Sequence, residues 1–424
     1  MSESPVTTAR SRRRHPVARH GMLKTPRPLG QLFTVIGVAL AVVLVSGLSV
    51  AAYATYDFAT SFTKDAVVLE GQDAVPPDIG AIEGGVNLLL TGTDACEPAY
   101  AAYFGERCEG PEADEELNDV NMLLHISDEP RRVTVISFPR DLRLDIPACT
   151  NADGVDTGDT YDMLNTAYVY GQLGCVVKTI SNLTGLDIQY AAKVTWGGVI
   201  EITNAIGGVE VCLASGIYDP NTGLDLEAGN YTLAGIDALQ FLRTRYGVGN
   251  GGDLGRISNQ QQYMSRLARK LVSEEVLTNP TTLIRLARTV VDNVTPSQSL
   301  TNPLTLVQIA LAVKNVPFDE IVFLQYPVYP DPDDPNRVVP DYEAADALWA
   351  ALAANQPLQL TGGVSQGDGV VDVGPVEQAP VDPSAAPTPG ATGAPVESAP
   401  PAVLPPSITG QSAAQQTCSN GNLR

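Results

Sequence analysis

The chain has 424 residues, 44% of them apolar, and a formal charge of −22, so it can fill a core but is too long to be a single compact unit. Residues 1–28 hold seven Lys or Arg and one Glu, residues 29–56 hold no charge, and the remainder carries −28. A body this acidic is a poor general binder of nucleic acid. The absence of an HExxH pair or a P-loop removes the familiar zinc-hydrolase and nucleotide signatures.

Residues 1–28 read as a basic cytoplasmic stub. Residues 29–56 are uncharged, mostly apolar and long enough to cross a bilayer once. The cations on the N-terminal side hold that end in the cytoplasm, which places the rest of the chain outside the cell membrane. Ala52-Tyr53-Ala54 resembles a cleavage site. The apolar run, however, is about twice the usual signal-peptide length of roughly 7–15 residues, which favours an uncleaved anchor. Residues 57–80 form a polar linker and 81–360 the folded domain.

Within that domain VNLLLTG, NMLLHIS and VTVISFP are short apolar runs of buried-strand length, which suit a sheet covered on both faces. CEPAYAAYFGERCEGPEADEE, between the first two, is an acidic loop with two cysteines. DMLNTAYVYG and GCVVKTISNLTG read as helices ending at glycine. AAKVTWGGVIEITNAIGG and VEVCLA follow as strand, helix, turn and strand. Residues 276–360 read as mainly helical around one strand, EIVFLQYPVYP. From Thr361 to Arg424 there are ten prolines and one basic residue, a composition that predicts a disordered, extended tail.

Six cysteines follow the apolar run, an even number that suits disulfides in an oxidising compartment. Cys96 with Cys108 and Cys149 with Cys175 are plausible local pairs, leaving Cys212 and Cys418 for each other, although six cysteines allow fifteen connectivities. Zinc is disfavoured, since no CxxC occurs and the only histidines are His15, His20 and His125. His125 falls mid-strand and reads as a core residue.

The chemistry concentrates in 237–262, DALQFLRTRYGVGNGGDLGRISNQQQ. If residues 241–246 are extended, Arg243 and Arg245 share a face and can grip phosphates bidentately. The glycine-rich turn would let the backbone approach a ligand. A helix starting near Asp253 would carry Ile257, Met264, Leu267 and Leu271 as its apolar stripe, with Arg256 and Gln260 one turn apart on a neighbouring face. Asp94 ends the first strand and Asp119 precedes the second. With those strands as parallel neighbours their ends need not coincide, but two carboxylates at a strand-end crevice suit magnesium shared with phosphate. Arg140 and Asp141 follow Pro139, which stops the third strand. Cationic clamps and a metal without a nucleophile fit phosphoryl transfer.

TGTD, ND before MLLHI, VISFPRDL, LNTAY, IGGVEV, DALQFLRTRY and DLGRISNQQQ, in this order over about residues 84–360, resemble the LytR-CpsA-Psr proteins of Gram-positive bacteria. The cysteines and the SNQQ form are similar to actinobacterial members. The resemblance implies an α/β fold, an α-β-α sandwich with a mixed central sheet after a single transmembrane helix. It implies transfer of a glycopolymer from a polyprenyl-pyrophosphate carrier to peptidoglycan, usually with Mg2+, and a pyrophosphatase side activity. By the same resemblance Arg140, Arg243, Arg245, Arg256 and Gln260 bind pyrophosphate, and Asp94 and Asp119 hold the metal. Asp141 is the candidate for guiding or deprotonating the acceptor hydroxyl, with an ion pair to Arg140 as the other reading. Cys96, Leu117, Met163 and Gln189-Tyr190 stand where the family pattern has other residues, the first three replacing cations. A non-catalytic wall- or lipid-binding protein with the same fold is the competing reading.

Overall fold

A computed structural model of the chain describes residues 63, 66–69, 85–111, 113–272, 280–374 and 400–423. The basic stub, the 29–56 run and most of the 57–80 linker lie outside those residues. Among the described residues no helix is long and apolar enough to cross a membrane.

The chain runs through β1 (Val86–Thr93), β2 (Asn118–Ile126), β3 (Val133–Phe138) and the hairpin β4 (Arg143–Ile146) and β5 (Thr160–Met163) into a helix, Ala167–Thr184. Then come β6 (Tyr190–Thr195), the helix Trp196–Ala205, β7 (Val209–Ser215), β8 (Ile217–Asp219), β9 (Leu224–Leu226) and β10 (Gly229–Leu233). The helices Gly235–Arg243, Asp253–Val272 and Pro280–Asn293 lead to β11 (Val294–Pro296) and the helix Pro303–Lys314. They are followed by β12 (Ile321–Gln325), β13 (Val328–Pro330), β14 (Val338–Pro340) and the helix Tyr342–Ala353. The chain closes with β15 (Leu358–Gln359), β16 (Val370–Asp372), β17 (Ala402–Val403), β18 (Gly410–Ser412) and β19 (Thr417–Asn420).

Seven strands form the central sheet in the order β11-β6-β1-β2-β3-β12-β18. It is mixed: β1 pairs with β6 and β3 with β12 in parallel, whereas β1 with β2 and β2 with β3 are antiparallel. Side chains alternate across it. Leu89, Leu123, Ile136 and Leu324 face the layer holding Val176, Ile180 and Leu348. Leu88, Met122, Val135 and Phe323 face the layer holding Met264, Ile309 and Val313. Helices therefore cover both faces, and truncating a fully buried residue such as Leu123 to Ala should cost about 2–5 kcal/mol. The three disulfides Cys96–Cys108, Cys149–Cys175 and Cys212–Cys418 join the pairs singled out from spacing.

Several local expectations change. The strands carrying Asp94 and Asp119 are antiparallel, not parallel, because the intervening loop folds straight back and Thr93 pairs with Asn118. Asp162 and Met163 belong to β5, and the helix that follows breaks at Gly171 and Gln172 before ending at Gly185, whose φ is +69°. Residues 241–246 are not a strand. Ala238, Leu239 and Phe241 bury a helical stripe, and the helix stops at Arg243. Asp219 fixes the break by accepting from the Thr244 hydroxyl at 2.8 Å and the Arg245 backbone N–H at 3.1 Å.

The segment after Thr361 is not wholly a tail; residues 375–399 lie outside the described set. β18 completes the central sheet, and β16 and β19 extend a second sheet of order β10-β7-β19-β16. The strands there are only two to four residues long, Ala402–Val403, Gly410–Ser412 and Thr417–Asn420, too short for a pattern to mark them. The glycine-rich turn also meets protein, not open space. Gly249 N–H donates to Asn420 O at 2.9 Å and Asn250 N–H to Gly367 O at 3.0 Å. A Cβ on Gly249 would collide with Gly367 O, and its φ of +51° suits glycine. Within the linker, Leu69 is buried in the core and Val67 bridges Ser297.

Candidate active site

The antiparallel turn from β1 to β2 sets Asp94 and Asp119 at the same sheet end. Leu117 N–H donates to Asp94 Oδ1 at 2.7 Å. Asp94 Oδ2 accepts from Arg107 Nε at 2.8 Å, and Arg107 also donates to the Glu115 carbonyl. Arg107 sits in the loop that Cys96–Cys108 closes, so the disulfide holds a guanidinium against Asp94. This cation stands close to where Cys96 and Leu117 replace the cations of the family pattern.

Pro139 ends β3 and turns Arg140 and Asp141 out beyond the ladder. Arg140 Nη1 donates to Asp119 Oδ1 at 2.9 Å, and its Nε lies 3.5 Å from Asp253 and 3.8 Å from Asp141. Its tightest partner is thus Asp119, not the neighbouring Asp141. Burial works against the Arg140 charge, but Asp119, Asp253 and Asp141 outweigh it and the pKa rises. Asp253 opens the next helix, where an acid is favoured by the helix dipole. It lies 2.7 Å from Arg256 Nη2, one turn along. Arg256 is 5% exposed and also donates to the Asp119 carbonyl at 3.0 Å.

Asp141 is ringed by cations. Arg337 Nη1 donates to its Oδ1 at 2.8 Å, and Arg245 Nη2 lies 3.9 Å from its Oδ2. Burial pushes the Asp141 pKa up, aided by Asp253 and opposed by Arg140, Arg337 and Arg245. Arg243, the last residue of its helix, lies over Trp196 at 3.8 Å from the ring centre and near Phe104 at 5.3 Å. Burial pulls its pKa down against the raising pull of Asp119 and Asp94. Gln260 donates to the Leu242 carbonyl at 2.8 Å and pins that helix end.

Asp119, Arg243, Arg256 and Gln260 line one cavity of about 250 Å³ whose other walls are mostly apolar, Leu90, Met122, Val199, Leu239, Tyr263 and Leu267 among them. Polar and apolar residues separate along its length. β1 runs from Thr93 down to Leu90, and the Asp253–Val272 helix runs from Arg256 and Gln260 to Met264 and Leu267. Arg140, Arg245 and Asp141 join the polar end through Asp119, Asp253 and Arg337. Buried Nε groups of Arg140, Arg245 and Arg256 lack hydrogen-bond acceptors there and Asp141 Oδ2 lacks a donor, so the cluster is only partly paired within itself and its unmet guanidinium hydrogens can meet an anionic ligand.

The expected site residues therefore come together, although Arg243 and Arg245 arrive from a helix end and the loop beyond it. Among the described residues no group of three His, Cys, Asp or Glu could hold a metal. Asp94 and Asp119 offer two carboxylates, each touched by an arginine. Asp119 lines the cavity, whereas Asp94 stands behind it with both oxygens taken, by the Leu117 N–H and by Arg107. Sequence reasoning missed Arg107, Trp196 and Arg337. Arg337 lies 196 positions from Asp141, and no local pattern announces that contact.

The LytR_cpsA_psr family model matches residues 50–353. The chain is 29% identical over 312 residues to cell wall biosynthesis protein LcpA of Corynebacterium glutamicum, covering 69% of this chain and 58% of that relative. It is 25% identical over 256 residues to the polyisoprenyl-teichoic acid–peptidoglycan teichoic acid transferase TagT of Bacillus subtilis, covering 58% and 72%. The fold is similar to that of a LytR-Csp2A-Psr enzyme from Actinomyces oris, with a TM-score of 0.50, 23% identity and coverage of 68% and 96%. The chain belongs to the LytR_cpsA_psr family.

Proposed function

We propose that the protein is a membrane-anchored transferase that moves a glycopolymer from a polyprenyl-pyrophosphate carrier to peptidoglycan. The observation that carries this reading is the two-part cavity: apolar walls, with Arg243 and Arg256 at one end and Arg140 and Arg245 beside them. An apolar tail fits the first part and a diphosphate the second. The transferase activity for which TagT of Bacillus subtilis is named is of the same kind. A single span at 29–56, with the N-terminus in the cytoplasm, would set the domain beside the lipid it acts on.

In this reading the guanidiniums hold the diphosphate and offset the charge that builds on its oxygens. Arg243 remains cationic beside aromatic faces and can turn to a phosphate without breaking a close ion pair. Asp253 and Asp141 fix the directions of Arg140, Arg256, Arg337 and Arg245. The ring of cations makes Asp141 a positioning residue in preference to a base. An acceptor hydroxyl oxygen attacks the phosphorus linked to the sugar. A new P–O bond forms and the bond to the bridging oxygen breaks. The electron pair leaves with polyprenyl phosphate, and the hydroxyl proton passes to solvent or to that phosphate, whose second pKa is about 6. Water in place of the hydroxyl gives pyrophosphate hydrolysis. Magnesium, when bound, would be held by Asp94 and Asp119 and would add positive charge at the diphosphate.

The test is binding of a polyprenyl-pyrophosphate oligosaccharide to the wild type and to Arg243→Ala, Arg245→Ala and the double variant. Folded variants should lose binding. Unchanged affinity in the double variant would refute the assignment.

A further inference from the structure

A second cleft, of about 640 Å³, lies between the β4–β5 hairpin and the start of the Tyr342–Ala353 helix. We propose that it is a saccharide subsite, taking an uncharged stretch of the acceptor glycan. The origin of that glycan rests on the transferase reading; the cleft's chemistry does not.

Two tyrosines carry the inference. Tyr161 is 51% exposed and Tyr342 61% exposed, and both line the cleft. Isolated exposed rings need no explanation, but two in one concavity offer flat apolar faces beside polar groups. A sugar ring has the matching form, with an apolar face of C–H groups and a rim of hydroxyls. Arg143 braces Tyr161, its guanidinium carbon 5.0 Å from the ring centre, and is itself held by Asp331 at 2.9 Å. Tyr161 stands directly across the hairpin from Asp145. Asp159 is oriented by the Ala148 backbone N–H, which donates to its Oδ1 at 2.7 Å. Asp145, Asp159, Thr160 and Asn182 can accept from hydroxyls on the rim of a bound sugar.

Charge selects the kind of glycan. The lining includes two carboxylates and no cation, which disfavours a polyanionic polymer and leaves a neutral saccharide. Position ties the cleft to the reaction. Ile146 follows Asp141 by five positions, a span of no more than about 18 Å. The 331–337 loop grips both regions, Asp331 on Arg143 and Arg337 on Asp141, so the hairpin and the arginine cluster are clamped by one segment. One oligosaccharide can rest in the cleft and present a hydroxyl to the phosphates.

Calorimetric titration of the full chain with a neutral N-acetylglucosamine tetrasaccharide tests this directly. Tyr161→Ala and Tyr342→Ala should each weaken binding at least tenfold, and Tyr161→Phe, which keeps the ring, should bind like wild type. In the transfer assay the alanine variants should raise KM for the acceptor about tenfold, with kcat and polyprenyl-pyrophosphate affinity unchanged. No binding by wild type, or equal binding by all variants, would overturn the subsite. So would a loss confined to a polyanionic glycopolymer. If the tetrasaccharide binds through the tyrosines while no transfer occurs, the transferase reading fails and the subsite stands.

Discussion

Replacing both Cys212 and Cys418 by serine should lower the melting temperature substantially. The bond joins neighbouring strands β7 and β19 across 206 residues of sequence. On the chain-entropy estimate, closing a loop of that length contributes about 5 kcal/mol, mostly by restricting the unfolded chain. With about 310 described residues and roughly 2.1 cal/mol/K of unfolding entropy per residue, this corresponds to a fall of about 8 °C. The native strand should stay docked in the variant. Gln262 Nε2 still donates to the Cys212 and Thr417 carbonyls at 2.9 and 3.1 Å, and the Ser419 hydroxyl to Asn259. Scanning calorimetry of the double variant and the oxidised wild type gives the difference. A fall below about 2 °C would refute the reasoning, and so would a variant that never folds, since those hydrogen bonds would then not hold β19.

Arg243→Lys should bind the lipid pyrophosphate about tenfold more weakly than wild type, and Arg243→Ala about a hundredfold, because charge-assisted hydrogen bonds contribute about 1.5–3 kcal/mol; equal affinities for wild type and Lys would show that the fork is unused. His125 is buried, with Nδ1 2.8 Å from Asn87 Oδ1, and burial pushes its pKa down to about 4. A group depressed from about 6.5 in the unfolded chain contributes fully above that pH and loses its contribution as pH falls towards 4. Between pH 7 and 4 the wild type should therefore lose about 3 kcal/mol more than His125→Gln in urea melts, and parallel curves would contradict the assignment. Transfer should stop with chelator and return with Mg2+, whereas chelator-resistant turnover would remove Asp94 and Asp119 as metal ligands.

The sheet was legible because its strands are apolar runs bounded by Gly and Pro, and Leu89, Leu123 and Ile136 bury as such runs should. The order of strands was not. Whether β1 and β2 run parallel depends on how the Cys96–Cys108 loop folds back, a long-range outcome that no local pattern encodes. The helix ending at Arg243 was missed because a short amphipathic stretch next to a glycine turn reads equally as a strand; burial of Ala238, Leu239 and Phe241 on one helical face decides it, and Asp219 ends it at Thr244. The C-terminal strands were hidden by composition, since ten prolines dominate the average while Cys418 and Ser419 bury against β7 and the Asp253–Val272 helix. At the site, Asp94, Asp119, Arg140 and Asp141 stood out as charges next to strand ends, and Arg243, Arg245 and Arg256 as cations flanking a glycine-rich turn. Trp196 and Arg337 did not, being ordinary residues until folding brings them to Arg243 and Asp141.

The most direct measurement supplies the full-length protein with Mg2+, a labelled polyprenyl-pyrophosphate oligosaccharide and peptidoglycan, and follows both products. Polyprenyl phosphate should appear in step with a glycan–peptidoglycan phosphodiester, and both should vanish in the Arg243→Ala, Arg245→Ala double variant. Absence of both products with the wild-type protein would contradict the transferase reading, as would equal yields from the wild type and the double variant.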